Sequence, residues 1–244
     1  RGPDWDGEFI INDCYLAHHR LSIIDPAGGK QPILYPQTGP CEIALTVNGE
    51  IYNYREMMQY IQRQESLSGI KTPYVYATRS DCEPIMAMYY CIMMLSLESQ
   101  LDIEIIYEML HTYLNMFNGI FAFVLIDSQG NIFAARDPIG IIPLYYGYDI
   151  DGSLHFASEM KGLPAGVTPH HFPPGHYVYM KTNEQIQLRK YYFELDAPIE
   201  SIAQYPEPDI ELIATYKRTV RSALTAAVER QLMTDVPFGA LLSG

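Results

Sequence analysis

Basic residues are scarce in this chain. Sixteen Lys and Arg stand against 29 Asp and Glu, a formal net charge of −13 over 244 residues. A nucleic-acid surface needs clustered cations to neutralise phosphates, and no basic stripe is present, so nucleic acid is not an expected partner. The acidic residues are spread rather than blocked and read as a solvated surface. Cysteine is also sparse. Cys14, Cys41, Cys82 and Cys91 form no Cys-x-x-Cys pair and no zinc spacing, so no metal site and no disulfide framework is expected. A reducing compartment follows, and the cytoplasm is the expected location. Cys41 and Cys91 lie in apolar runs and read as small buried hydrophobes. No apolar run is long enough to span a bilayer and no signal peptide is visible, so no membrane partner is expected.

What is present is core-forming material. Hydrophobic residues make up 48% of the chain, enough for one large domain or one and a half ordinary ones. Cys41–Val47 reads as a buried strand that delivers Asn48 and Gly49 to a site at its end. Tyr54, Met57, Met58 and Ile61 have helical spacing, and residues 64–79 read as a polar loop. Ser80-Asp81-Cys82-Glu83 has the pattern of a capping box, with Ser80 on the Glu83 N–H and Glu83 reaching back. The helix it opens carries Ile85, Met88, Tyr89 and Ile92, and Ile103–Leu114 is a further helix. Three hairpins follow: Ile120–Asp127 with Ile132–Arg136, Leu144–Tyr148 with Leu154–Ser158, and Gly175–Met180 with Gln185–Lys190. Many antiparallel strands with a few helices indicate an α+β layered domain over residues 1–190. Residues 191–209, with Pro198, Pro206 and Pro208, read as a linker. A second unit, 210–244, opens with a helical pattern over Ile210–Met233, is broken at Asp235-Val236-Pro237, and ends in an apolar strand and a Ser243-Gly244 turn.

Several residues could carry chemistry. Arg20 precedes the apolar Leu21-Ser22-Ile23-Ile24, and its guanidinium suits a carboxylate fork; a surface ion pair is the plainer reading. The Asn48 amide and the Gly49 N–H could form an oxyanion hole, although Asn-Gly is also a common hairpin turn. Asp81 could pair with a substrate ammonium or simply complement a helix N-terminus. Cys82 has no sequence-placed base and reads as structural. His18-His19 and His170-His171 lack the spacing of a helical metal site and read as surface or loop histidines. Ser243-Gly244 is half of a phosphate cradle.

Nine segments in order resemble the glutamine-hydrolysing asparagine synthetases, within the class II glutamine amidotransferases. They are Arg1–Trp5, Arg20–Asp25, Asn48–Asn53, Ser80–Glu83, Phe117–Phe123, Arg136–Tyr145, Ser158–Lys161, Phe172–Tyr177 and Asp235–Gly244. The resemblance implies an N-terminal-nucleophile αββα sandwich followed by the start of an α/β ATP-pyrophosphatase-type synthetase domain. It implies that Asn48 and Gly49 hold the oxyanion, that Arg20 binds the glutamine α-carboxylate and Asp81 its ammonium. It also implies that Leu21, Ser22, Ile23, Ile24 and Glu50 line the pocket. Leu241 would contact adenine, with Ser243 and Gly244 beginning the ATP cradle.

Glutamine, aspartate and ATP are then the implied substrates, with Mg2+ as a further cofactor of the longer enzyme and a homodimer as its assembly. The family's nucleophile is an N-terminal cysteine whose own amine is the base. It is expected upstream of Arg1, as the rest of the phosphate loop is expected beyond Gly244. Both ends therefore read as cut, and this stretch alone is expected to bind no cofactor, to be inactive, and to be weakly stable through an unpaired sheet edge. Two alternatives remain: a β-lactam-synthetase-like amidoligase, and a catalytically dead glutamine-binding or interaction module.

Overall fold

A computed structural model describes residues 2–36, 38–192 and 210–242. The chain opens with a hairpin of β1 (Trp5–Ile11) and β2 (Cys14–Arg20), turned at Asn12 in the left-handed region. β3 (Ile33–Tyr35) and β4 (Ile43–Ile51) follow, then three helices: α1 (Tyr54–Ser68), α2 (Glu83–Ser99) and α3 (Ile103–Met116). The remaining strands are β5 (Gly119–Asp127), β6 (Asn131–Arg136), β7 (Tyr145–Tyr148), β8 (Leu154–Ala157), β9 (His170–His171), β10 (His176–Lys181) and β11 (Arg189–Lys190). α4 (Ile210–Arg230) lies in the last described stretch.

The central sheet has the order β11-β10-β6-β5-β4-β3, and every pairing in it is antiparallel. Its middle strands are apolar on both faces because both faces are covered. The strand period of two splits each of them between two cores. Phe121, Phe123, Leu125 and Phe133 pack toward the helices, with Leu45 and Val47 of β4. Ala122, Val124, Ile126 and Ala134 face the other way, against Ile11 and Leu16 of the first hairpin and Leu144 and Phe172, which flank β7 and β9 of the β8-β7-β9 sheet. Helices, a six-stranded sheet and a second strand layer are thus stacked, consistent with the α+β class. α2 is buried without a break from Glu83 to Ile92 and works as a core helix rather than an amphipathic one.

The structure corrects several local expectations. α1 continues to Ser68, so residues 64–68 of the expected 64–79 loop are helix and the rest is not; Gly69, at φ 70°, ends it in the left-handed cap that favours glycine. No capping box forms before α2. Ser80 Oγ accepts the Cys82 N–H at 3.3 Å instead. The fully buried Glu83 carboxylate turns away and takes the Ala77 and Thr78 N–H groups at 2.8 Å each, with the Thr78 and Tyr74 hydroxyls. A buried carboxylate needs several donors, and that loop offers more than a helix terminus does. The apolar residues 238–242 form no strand: Phe238, Leu241 and Leu242 are exposed, with no partner strand among the described residues. Both histidine pairs lie in strands; His19, His170 and His171 are exposed, as the surface reading expects, and His18 is half-buried. The expected linker falls almost wholly on 193–209, outside the described residues. α4 matches its expected helical span within three residues, and none of its side chains is buried. Among the described residues no helix is long and apolar enough to cross a membrane.

Candidate functional site

Arg20 ends β2 and is buried. Its Nη2 donates to the Ile24 carbonyl at 2.7 Å and the Asp25 carbonyl at 2.9 Å, with a long contact from Nη1 to the Pro26 carbonyl at 3.5 Å. The loop after β2 therefore wraps around the guanidinium. Asp25 is left-handed at φ 50° and its carboxylate closes the loop on itself, accepting the Gly28 N–H at 3.2 Å and the Arg79 N–H at 2.9 Å. A Cβ on Gly29 would stand 2.5 Å from Arg20 Nη2, so a side chain there would shift the guanidinium end. Burial lowers the Arg20 pKa, while Asp25, Asp4, Asp81 and Cys82 act to raise it. The fork read from sequence thus spends three of its five donors on its own loop. Nε–H and the second Nη1–H have no protein partner among the described residues.

Beyond Leu45 the β3 pairing ends, and side chains finish the free edge of β4. The Gln31 amide imitates a strand, accepting the Val47 N–H at 2.8 Å and donating to the Val47 carbonyl at 2.9 Å. Asp81 Oδ2 accepts the Ile51 N–H at 2.8 Å. Gly49 lies between these two, and its carbonyl meets Cys82 Sγ at 3.5 Å on the same edge. Strand alternation turns the Gly49 N–H to that edge as well. Asn48 and Gly49 are therefore inside the strand, paired with Ala122 and Phe121, and not at its end as the sequence suggested. Asn48 is exposed and shares a sheet face with Thr46, which is bonded to His18 of β2 at 2.9 Å.

Charge gathers at this edge. Burial raises the Asp81 pKa, and the Ile51 N–H, the Cys82 thiol and Arg20 work against that rise. Glu50 is raised by burial and by Asp81. The Tyr52 hydroxyl is pushed up to about 12 by burial, then by Glu50, Asp81 and Asp137. Arg20, Asp81, Glu50 and Gly49 are thus brought together. Leu21 is exposed, the Ser22 N–H is held by Asp4 Oδ2 at 2.7 Å, and the Ile23 carbonyl by the Asp235 N–H at 3.0 Å. A cleft of about 320 Å³ opens beside the guanidinium, walled by Asp4, Trp5, Arg20, Ser22, Pro26, Lys30 and Val236; Asn48, Gly49, Glu50 and Asp81 do not line it. Leu241 is fully exposed, and Ser243 and Gly244 lie outside the described residues. Gln31, Asp25 and Asp235 were given no role by the sequence reading. Gly28-Gly29 was the only local hint, as glycines beside a crowded side chain.

His18 supplies a pH test of this corner. Burial, then Arg20 and His19, lower its pKa to about 4. The folded chain therefore keeps His18 neutral where the unfolded chain is already protonated. Stability is full above the unfolded value near 6.5 and is lost as pH falls toward the folded value, by up to about 3 kcal/mol. Urea midpoints are expected to fall between pH 7 and 4.5, and His18→Gln to flatten that slope. An unchanged slope in the variant would remove His18 as the cause.

The family model described as "Glutamine amidotransferase domain" matches residues 1–171, and that described as "Asparagine synthase" matches 219–244. "Asparagine synthetase [glutamine-hydrolyzing] 2" of Arabidopsis thaliana is 40% identical over 246 residues, covering all of this chain and 35% of that protein. "Asparagine synthetase [glutamine-hydrolyzing]" of Sandersonia aurantiaca is 41% identical over 248 residues, covering all of this chain and 39% of that protein. The chain therefore spans little more than a third of the length of these curated relatives. Among solved structures, that titled "structure of the allosteric regulatory enzyme of purine biosynthesis" superposes with TM-score 0.52 at 23% identity, covering 73% of this chain and 35% of that one, a likeness of fold. With a family match running unbroken from the first hairpin to β9, the chain belongs to the glutamine amidotransferase domain family.

Proposed function

We propose that this chain supplies the glutamine-binding part of an ATP-dependent ligase that converts aspartate to asparagine with ammonia drawn from glutamine. The observation that carries the reading is a pair of opposite charges, Arg20 and Asp81, acting on one another beside the edge that presents Gly49. Supporting it is the 40% identity to a glutamine-hydrolysing asparagine synthetase across the whole chain.

An α-amino acid needs a cation for its carboxylate and an anion for its ammonium. With both Nη2 hydrogens on its own loop, Arg20 meets the carboxylate through one uncommitted donor, Nε–H or the second Nη1–H, which lie on different edges of the guanidinium. Asp81 meets the ammonium, and that cation pulls its raised pKa back down. With the amino-acid end so fixed, the side-chain amide is directed at the Gly49 N–H and the exposed Asn48 amide. Those two donors hold the oxyanion as the carbonyl becomes tetrahedral. Leu21–Ile24 act mainly through their backbone, since the Ile24 carbonyl is engaged by Arg20 and the Ser22 N–H by Asp4. None of the four cysteines is proposed as the nucleophile. Burial is the largest cause raising every one of their thiol pKa values, Cys91 to about 11.

ATP, Mg2+ and aspartate belong to the same proposal and to the part of the protein that the 219–244 match begins. Among the described residues Leu241 is fully exposed, and no group of three His, Cys, Asp or Glu could hold an ion. The boundary between the two parts is proposed within 191–209.

Calorimetric titration of the chain with glutamine tests the reading. Arg20→Ala is expected to weaken binding about 100-fold, the cost of truncating a buried charge-assisted hydrogen bond. Equal affinity for glutamine in parent and variant would sink it.

A further inference from the structure

Resting on that reading, we infer that Asp235 is a positioning residue for the Arg20 fork, through which the segment after α4 sets the affinity of the glutamine site. The loop between β2 and β3 is tied from three directions. Its carbonyls at Ile24 and Asp25 are taken by Arg20. Its Asp25 carboxylate is taken by the Gly28 and Arg79 N–H groups. The Ile23 carbonyl and the Asp25 N–H take part in neither set. Asp235 satisfies both at once: its N–H donates to the Ile23 carbonyl at 3.0 Å, and its Oδ2 accepts the Asp25 N–H at 2.8 Å.

This is a two-point contact by one residue across 210 positions of chain. It alone among the three ties crosses from the stretch matched by the amidotransferase model, 1–171, to that matched by the synthase model, 219–244. The next residue, Val236, walls the cleft that Arg20 and Ser22 line, so the segment also borders the space beside the fork. Asp25 is the joint of the arrangement. Its N–H is held by Asp235, its carbonyl by Arg20 and its side chain by Arg79, all on a left-handed backbone. Releasing the N–H frees the peptide whose carbonyl orients Nη2, and the two uncommitted donors of the same guanidinium turn with it.

The test compares Asp235→Ala with Asp235→Asn. The alanine variant keeps the backbone bond to Ile23 and loses the acceptor for Asp25. The asparagine variant keeps an acceptor in the same place. Glutamine Kd is expected to rise about tenfold in the alanine variant and to return to within about threefold of the parent in the asparagine variant. Amide exchange at Asp25, Gly28 and Gly29 is expected to accelerate about tenfold in the alanine variant, while Asn131 in the distant β5–β6 turn is unchanged. An Asp235→Ala chain that binds glutamine like the parent overturns the inference, and so does unaltered exchange at Asp25. A parent chain that binds no glutamine overturns the functional reading instead, and exchange at Asp25 then decides the Asp235 tie by itself.

Discussion

Replacing Gly49 with alanine is expected to destabilise the fold by about 3–5 kcal/mol, in the range of severe core lesions. Two effects add. Gly49 stands at φ 138°, where a side chain is strained whatever the space around it. Its Cβ would also lie 2.0 Å from the Ile120 carbonyl oxygen and 2.6 Å from Phe121 Cα. Those atoms belong to the backbone of the neighbouring central strand, and β4 and β5 cannot part without opening the ladder between Ile43 and Ile51. Gly152→Ala separates the two effects. Gly152 has φ 81° with nothing within 4 Å of its Cβ position, so only the conformational cost of about 1–2 kcal/mol applies. The expected thermal midpoint falls by ~10 °C for Gly49→Ala and by a few degrees for Gly152→Ala. Equal shifts for the two variants would show that the close approach of β5 costs nothing.

The same residue marks how far the sequence could be read. The apolar run into Asn48-Gly49 was legible as a buried strand with a polar pair, and the strand is there. Its continuation to Ile51 was not legible, because the partners that finish the edge are Gln31 and Asp81, sixteen and thirty residues from their bonds. Local spacing carries no signal for a side chain that replaces a strand. The helices and the β5–β6 hairpin were legible for the opposite reason. Apolar period and turn residues at Ser128–Gly130 are contiguous in the chain.

The capping box before α2 failed because two local patterns competed for one carboxylate. Glu83 can bond backward to a helix terminus or outward to a loop, and the loop at Ala77–Thr78 offers more donors. The first hairpin was missed because most of its residues are not buried, which leaves little apolar alternation to read. Arg20 could be picked from the sequence as a candidate binding cation but not as the hub of its own loop. Its bonds go to carbonyls, which every residue has. In the candidate site, then, the residue types that carry charge could be chosen from sequence, while the groups that aim them could not.

Asp137 shows the same limit with larger energetic stakes, and its removal is the second severe prediction. The motif Arg136-Asp137-Pro138 was legible as part of the family pattern, without a role. In the structure the buried Asp137 carboxylate accepts five backbone N–H groups: Ile139 at 3.1 Å, Gly140 at 2.6 Å and Ile141 at 3.0 Å on Oδ1, Phe121 at 3.3 Å and Ile142 at 3.0 Å on Oδ2. Arg136 takes the complementary carbonyls of the same loop, Gly140 at 2.7 Å and Ile142 at 2.6 Å, and that of Phe172 at 2.7 Å. One acid and one base thus hold a turn to which the backbone itself adds the Gly140 N–H on the Asp137 carbonyl at 3.1 Å. Asp137→Ala strands up to five donors next to a buried cation, and is expected to cost about 3–5 kcal/mol. Asp137→Asn keeps an oxygen for the three Oδ1 donors and faces an amide hydrogen toward the Phe121 and Ile142 N–H groups, so it should recover only part of that loss. Phe121 is the residue paired with Gly49, so the damage should reach the edge proposed to take glutamine. Glutamine affinity is expected to fall alongside the urea midpoint in Asp137→Ala. A variant that melts like the parent would mean that solvent replaces all five bonds, and the turn would then owe its shape to Pro138 and Gly140 rather than to the carboxylate.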